Sequence, residues 1–231
     1  MLKLVIFDLD GLMLDTERLY MKTLREACEA YGLTYETELY ERVAGSGNEY
    51  EKQLYAEYFP HADIDEFYNY LQRIQEERLN NGEYEVKPGL FELIQAIEAQ
   101  GGIKTAVVTC NTQAMSQKML GEKGILPRLN GGVYCEMVSE CKPSPEGYLR
   151  CCEMFGVKPW EALVLEDSAM GLRAALSAGI PTIAVPDIVQ PPQNVLDRCY
   201  AQCASLNEVI PLLDSLCGSP AGNENNEGNL L

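Results

Sequence analysis

Two carboxylates, Asp8 and Asp10, stand two residues apart in the segment FDLDGL, directly after the apolar run LKLVIF. Both acids would sit over the same edge of a sheet, with Gly11 allowing the sharp exit from the strand. Three further polar clusters follow apolar runs or turns: Thr109-Cys110-Asn111 after IKTAVV, Lys142 in CKPSPEGY, and Glu166-Asp167-Ser168 after ALVLE. A hydroxyl beside helix-opening amides can meet an anion, and a lysine held between prolines can neutralise one. Mg²⁺ takes oxygen ligands, so Asp8, Asp167 and the carbonyl of Asp10 form a candidate ligand set.

These groups need a scaffold that brings their apolar runs side by side. Residues 2–7 read as a strand buried on both faces, the first of a parallel sheet. From Thr16 to about Gly82 the pattern is helical, rich in Tyr and Glu, with no strand candidate of useful length. Beyond Lys87-Pro88-Gly89 the pattern predicts helix at 89–100, strand at 103–108, helix at about 112–123, and a short strand near 132–135. Helix at 145–155, strand at 162–166, helix at 168–178 and strand at 180–185 complete the series. Alternation of this kind implies an α/β fold, a doubly wound, Rossmann-like parallel sheet. Some seventy residues of helix are too many for one crossover, so they read as an inserted all-helical domain with hinges near 14–17 and 82–88. The expected division is 1–15 plus 84–217 for the catalytic core, 16–83 for the insertion, and 218–231 for a flexible tail rich in Gly, Asn and Glu.

In an open parallel sheet the ligand crevice lies at the carboxyl ends of the strands, where Asp8, Thr109 and Glu166-Asp167 would meet. The composition narrows the ligand. Lys plus Arg number 18 against 35 for Asp plus Glu, a net charge of −17, which repels nucleic acid and anionic membrane surfaces. An anionic small substrate must therefore be received by a metal ion, a positioned lysine or backbone amides. The nine cysteines include no C-x-x-C pair and read as free thiols of a reducing, cytoplasmic setting. The N-terminal segment has neither the charge pattern of a signal peptide nor the length of a spanning helix, and a monomer is expected.

The segment FDLDGLMLDT resembles the first motif of the haloacid dehalogenase superfamily, and Thr109, Lys142 and Glu166-Asp167 fall in the order of its second, third and fourth motifs. The resemblance runs from Leu2 to about Pro186. The helical insertion resembles the cap of the branch that holds phosphoglycolate phosphatase-like enzymes and β-phosphoglucomutase. It implies that Asp8 is the nucleophile that becomes an aspartyl-phosphate and that Asp10 protonates the leaving oxygen and then activates water. It further implies that Lys142 neutralises the phosphoryl group and that Thr109 and the amide of Cys110, with Asn111, bind phosphate. Asp8, Asp10 and Asp167 would hold Mg²⁺, with Glu166 outside them.

An aspartate at the position of Asp10 implies phosphate esters, because dehalogenases and phosphonatases lack one. The cap would contribute Ser46 and Asn48 from the loop AGSGNEY (44–50) as polar contacts to substrate. The mutase resemblance would call for a histidine where this sequence has Tyr20 and for a basic residue in that loop. The expectation is a Mg²⁺-dependent phosphatase of a small phosphorylated metabolite, a sugar phosphate or similar monoester. A phosphomutase is the alternative, and a phospho-accepting or binding protein without activity is a third reading.

Overall fold

The apolar N-terminal run becomes β1 (Leu4–Phe7), and all four of its residues are buried. Val5 and Phe7 point into one apolar cluster and Leu4 and Ile6 into another, so the strand is covered on both faces and needs no polar alternation. The structure, a computed structural model, describes residues 1–44 and 48–217, without the side chains of Asn48, Glu49 and Cys217. The expected contacts from Ser46 and the Asn48 side chain, and the expected tail from Gly218, lie outside the described residues.

Beside β1 lie β2 (Lys104–Val108), β3 (Gly131–Val133), β4 (Ala162–Glu166), β5 (Thr182–Ala184) and β6 (Ala201–Gln202). They form one sheet in the order β3-β2-β1-β4-β5-β6, and every pairing is parallel. The chain winds outward from β1 to β3, then returns to β4 on the other side of β1. The order therefore reverses around β1, the place where an α/β sheet opens a crevice at its carboxyl edge. Phe7 is in register with Val107 and with Leu165. That register brings Asp8, Thr109 and Glu166-Asp167 to one edge.

Four helices fill the segment between β1 and β2: α1 (Glu17–Ala30), α2 (Thr37–Val43), α3 (Asn48–Tyr58) and α4 (Ile64–Asn80). They enclose their own core, in which Phe67 meets Tyr31, Tyr55 and Phe59 edge-on with ring centroids 5.3–5.7 Å apart. On α1, Leu19, Thr23, Leu24, Ala27 and Cys28 recur at helical spacing on the buried face. At the start of α4, the Asp63 carboxylate accepts the Glu66 amide and caps the helix. The remaining helices flank the sheet: α5 (Leu90–Gln100), α6 (Gln113–Glu122), α7 (Glu146–Phe155), α8 (Ala169–Ser177), α9 (Gln193–Leu196) and α10 (Ile210–Cys217).

The chain crosses twice between sheet and insertion, and the crossings bond to one another. Asp15 N donates to Glu85 O at 2.8 Å and Lys87 N to Met13 O at 3.0 Å, around an antiparallel bridge between Leu14 and Val86. A loop after β5 joins them: Asp187 pairs with Lys87 at 2.7 Å and Arg18 at 3.4 Å, while Ile188 packs on the core of the insertion. The fold is thus a doubly wound α/β sheet with an inserted helical cap. Three elements were not anticipated, namely β6, α9 and α10. The first is a two-residue edge strand and the second a single turn, too short to show a period.

Candidate active site

Asp8 follows β1 and is 8% exposed, its amide bound to Leu165 O at 3.1 Å. The Lys142 ammonium bonds directly to the Asp8 carboxylate and reaches Glu166 Oε1 at 2.6 Å. Burial pushes the Asp8 carboxyl well above the usual carboxylate range, while the Lys142 ammonium works against it. Burial opposes the charge on Lys142 in turn, but Asp8 and Glu166 outweigh it and hold the ammonium well above the ordinary lysine value.

Glu166 is fully buried and both of its oxygens are engaged. Oε1 accepts from Lys142 and from the Tyr148 hydroxyl at 3.2 Å, and Oε2 from the amide and hydroxyl of Ser168 at 2.8 and 3.1 Å. The Ser168 hydroxyl also accepts the Gly171 amide and so caps α8. A side chain at Gly171 would put its Cβ 1.5 Å from Glu166 Oε1, so α8 approaches the carboxylate only because this residue is glycine.

Asp167 differs, because its Oδ1 is buried with no hydrogen-bond partner among the described residues. Asp8, Glu166 and Asp167 offer oxygens within 4.8 Å of one another. Burial, then the neighbouring acids, drives the Asp167 carboxyl well above its usual value. Three buried acids against one ammonium, with one orphaned oxygen, fit a hard divalent cation. Since Glu166 is saturated, Asp8 and Asp167 are the acids free to hold it. Gly11, at φ +77°, clears the space: its Cβ would fall 2.2 Å from Asp167 Oδ2.

The Asp10 carboxylate lies outside that cluster and is held by three neutral donors. Thr16 Oγ1 and Tyr20 Oη donate to Oδ1 at 2.8 and 3.3 Å, and Asn111 Nδ2 donates to Oδ2 at 2.7 Å. Burial raises its pKa, and those donors together with Lys142 temper the rise. Asn111 was expected at the phosphate, yet its side chain is spent on Asp10 and its amide on Thr109 Oγ1 at 3.1 Å. The helix expected to open there begins at Gln113, capped by Thr112. Thr109 is buried with its own O–H left to donate, and the Cys110 amide has no partner among the described residues.

The structure therefore converges Asp8, Asp10, Thr109, Cys110, Lys142, Glu166 and Asp167 on one edge. It also brings in groups not expected there: Thr16, Glu17, Tyr40 and Tyr148. Thr16 stands at the N-cap of α1 but its hydroxyl goes to Asp10 instead of capping the helix. Glu17 follows it, with Oε2 accepting the Tyr40 hydroxyl at 2.5 Å, and burial raises its pKa to about 7. A hydroxyl and an acid at a helix start read as cap and first-turn charge, which hid both.

A sheet edge of this order, with paired acids, a lysine and an inserted helical cap, defines a class of hydrolase. The chain belongs to the haloacid dehalogenase-like hydrolase family, which matches residues 5–185. It is 32% identical to the phosphorylated carbohydrates phosphatase of Thermotoga maritima, over 91% of this chain and 90% of that protein. It is 30% identical to the fructose-1-phosphate phosphatase of Escherichia coli, over 78% of this chain and 95% of that one. Among solved structures, CbbY of Rhodobacter sphaeroides in complex with phosphate superposes with a TM-score of 0.71 at 25% identity, over 90% of this chain and 96% of that one. The protein is a hydrolase of phosphate esters. Among the described residues no helix is long and apolar enough to cross a membrane, and the cysteines are free.

Proposed function

We propose that the protein is a Mg²⁺-dependent phosphatase of small phosphorylated metabolites, sugar phosphates or similar monoesters, acting through an aspartyl-phosphate on Asp8. The observation that carries this reading is the contrast between the two acids of one turn. Asp8 is gripped by an ammonium, whereas Asp10 is held by neutral donors and raised by burial. Paired acids in such different surroundings separate into a nucleophile and a proton carrier.

Asp8 attacks phosphorus while Lys142 holds charge on the phosphoryl oxygens. The Thr109 O–H and Cys110 N–H donate to the same oxygens. Asp10 gives its proton to the leaving oxygen, then takes one from the water that releases phosphate from Asp8. Asp8, Asp167 and the carbonyl of Asp10 would hold Mg²⁺, which supplies the positive charge that a chain of net charge −17 needs to receive phosphate. Glu166 keeps Lys142 aligned. We take residues 1–15 plus 84–217 as the catalytic core and 16–83 as the cap. We take the protein to act as a monomer.

Phosphate release from a panel of phosphomonoesters, with and without Mg²⁺, tests the reading, together with hydroxylamine trapping of the acyl phosphate. Wild type should turn over and Asp8→Asn should not. Turnover retained in Asp8→Asn sinks the mechanism, and isomerisation of glucose 1-phosphate with little free phosphate would make the protein a mutase.

A further inference from the structure

The cap side of the site carries chemistry that the hydrolytic steps do not use. Glu17 packs against the same glycine that clears Asp167, its Cγ lying 3.1 Å from where a Gly11 Cβ would sit. Tyr40 ties it down twice, donating to Oε2 at 2.5 Å and lying 2.8 Å from the Glu17 carbonyl. No bond engages Glu17 Oε1 among the described residues. Its charge acts on Asp10 and Asp167 on the core side and on Glu51 of α3 on the cap side. Tyr20 completes this roof, bonded to Asp10 and under the influence of Glu17 and Glu51.

Among the described residues the cap turns most of its cations away from the roof. Arg25 lies over Tyr35, Arg42 over Tyr58, Lys52 over Tyr68 and Arg73 over Tyr70, while Arg78 pairs with Glu26 and Glu83. Lys87, the cation acting on Glu17, is itself paired with Asp187. The loop sequence AGSGNEY adds no basic residue.

We propose that Glu17, braced by Tyr40, determines specificity by accepting a hydroxyl of the substrate's leaving group, so that the site takes phosphomonoesters of neutral polyhydroxy compounds and rejects those bearing a second anionic group. The proposal deepens the phosphatase reading and rests on it. Above about pH 7, where Glu17 is ionised, its free oxygen can only accept, so its ligand must donate. A hydroxyl donates without carrying a charge to be desolvated, whereas a second phosphate or a carboxylate brings negative charge against Glu17 and Glu51. Lys142 and Lys87 disfavour an ammonium in the same place.

The experiment compares kcat/KM, by phosphate release, for sorbitol 6-phosphate, phenyl phosphate, phosphoethanolamine, phosphoglycolate and fructose 1,6-bisphosphate in wild type, Glu17→Gln and Tyr40→Phe. Wild type should favour sorbitol 6-phosphate by about tenfold or more over the two competitors that carry a second anionic group and over phosphoethanolamine. In Glu17→Gln the ratio of sorbitol 6-phosphate to phenyl phosphate should fall about tenfold, mainly through KM, with a smaller fall in Tyr40→Phe. Equal losses on both esters would make Glu17 a structural or electrostatic support and overturn the proposal. So would a wild type that hydrolyses the bisphosphate, phosphoglycolate or phosphoethanolamine as well as sorbitol 6-phosphate, a result that needs no variant to fold. Hydrolysis of phenyl phosphate alone overturns the specificity and leaves the phosphatase standing, whereas release from none of the esters removes both.

Discussion

The sheet edge and the cap roof face one another across Asp10, and they hold their acids in opposite ways. At the edge, Glu166 is fixed by Lys142, Tyr148 and Ser168, and two glycines are needed to let neighbouring backbone approach. In the roof, Glu17 and Glu51 each accept from one phenol, and burial with neighbouring charge, from Asp10 and Asp187 on Glu17 and from Glu17 on Glu51, raises both. Phosphoryl transfer needs charge in fixed places, so Lys142 and Glu166 are over-determined, while Asp167 keeps one oxygen for a cation. Recognition of a leaving group needs acceptors that a substrate can complete, so its groups are left under-satisfied.

The sharpest way to break this contrast is to compare losses of activity. Asp8→Asn removes the attacking oxygen and should cost about four orders of magnitude in turnover, far more than any single roof substitution. A roof variant that matched that loss on phenyl phosphate would place chemistry in the cap. Packing comes next. Gly171→Ala forces Glu166 or α8 to move and should cost about 2–4 kcal/mol, a fall in Tm of about 5–10 °C, with reduced activity as Lys142 loses its brace. Gly121→Ala is its control on the exposed face of α6, where the nearest atom is 4.0 Å away. It should raise stability by about 0.5–1 kcal/mol in the same melt.

Asp10 is held from both sides, which lets the two be weighed on one group. Asn111 reaches it from the core at 2.7 Å and Tyr20 from the cap at 3.3 Å. Asn111→Ala should lower kcat by about 10- to 100-fold and Tyr20→Phe by about 3- to 10-fold, on the same ester. The reverse order would mean that the cap, and not the sheet edge, sets the proton carrier.

The same contrast explains what could be read in advance. The strand β1 and the largely apolar strands β2 and β4 end directly before Asp8, Thr109 and Asp167, so type and position identify each other. Lys142 follows none of these strands and was legible from its place between the cysteine and the prolines of CKPSPEGY. Glu17 and Tyr40 come together from different helices, and nothing local distinguishes Tyr40 from the packing tyrosines around it. The bond of Asn111 to Asp10 was not legible, because the register of β1 and β2, not the spacing of the chain, brings the side-chain amide to that carboxylate.

The effect that depends on pH concerns Glu51. Burial, opposed by the Tyr68 hydroxyl and reinforced by the charge of Glu17, raises its pKa from 4.5 to about 7. An acid with a raised folded pKa binds its proton more tightly folded than unfolded. Stability is therefore highest below about pH 4.5, declines as pH rises toward 7, and is flat beyond. Because the side chain keeps some contact with solvent, the penalty above pH 7 should be about 1–2 kcal/mol, less than the full shift would give. Glu51→Gln, which cannot ionise, should gain that amount in urea unfolding at pH 8 and gain almost nothing at pH 4.5. A gain equal at both values would trace to packing. No gain at either would mean that Glu51 is as well satisfied as Glu166, and the distinction between a fixed edge and an under-satisfied roof would fail at this residue.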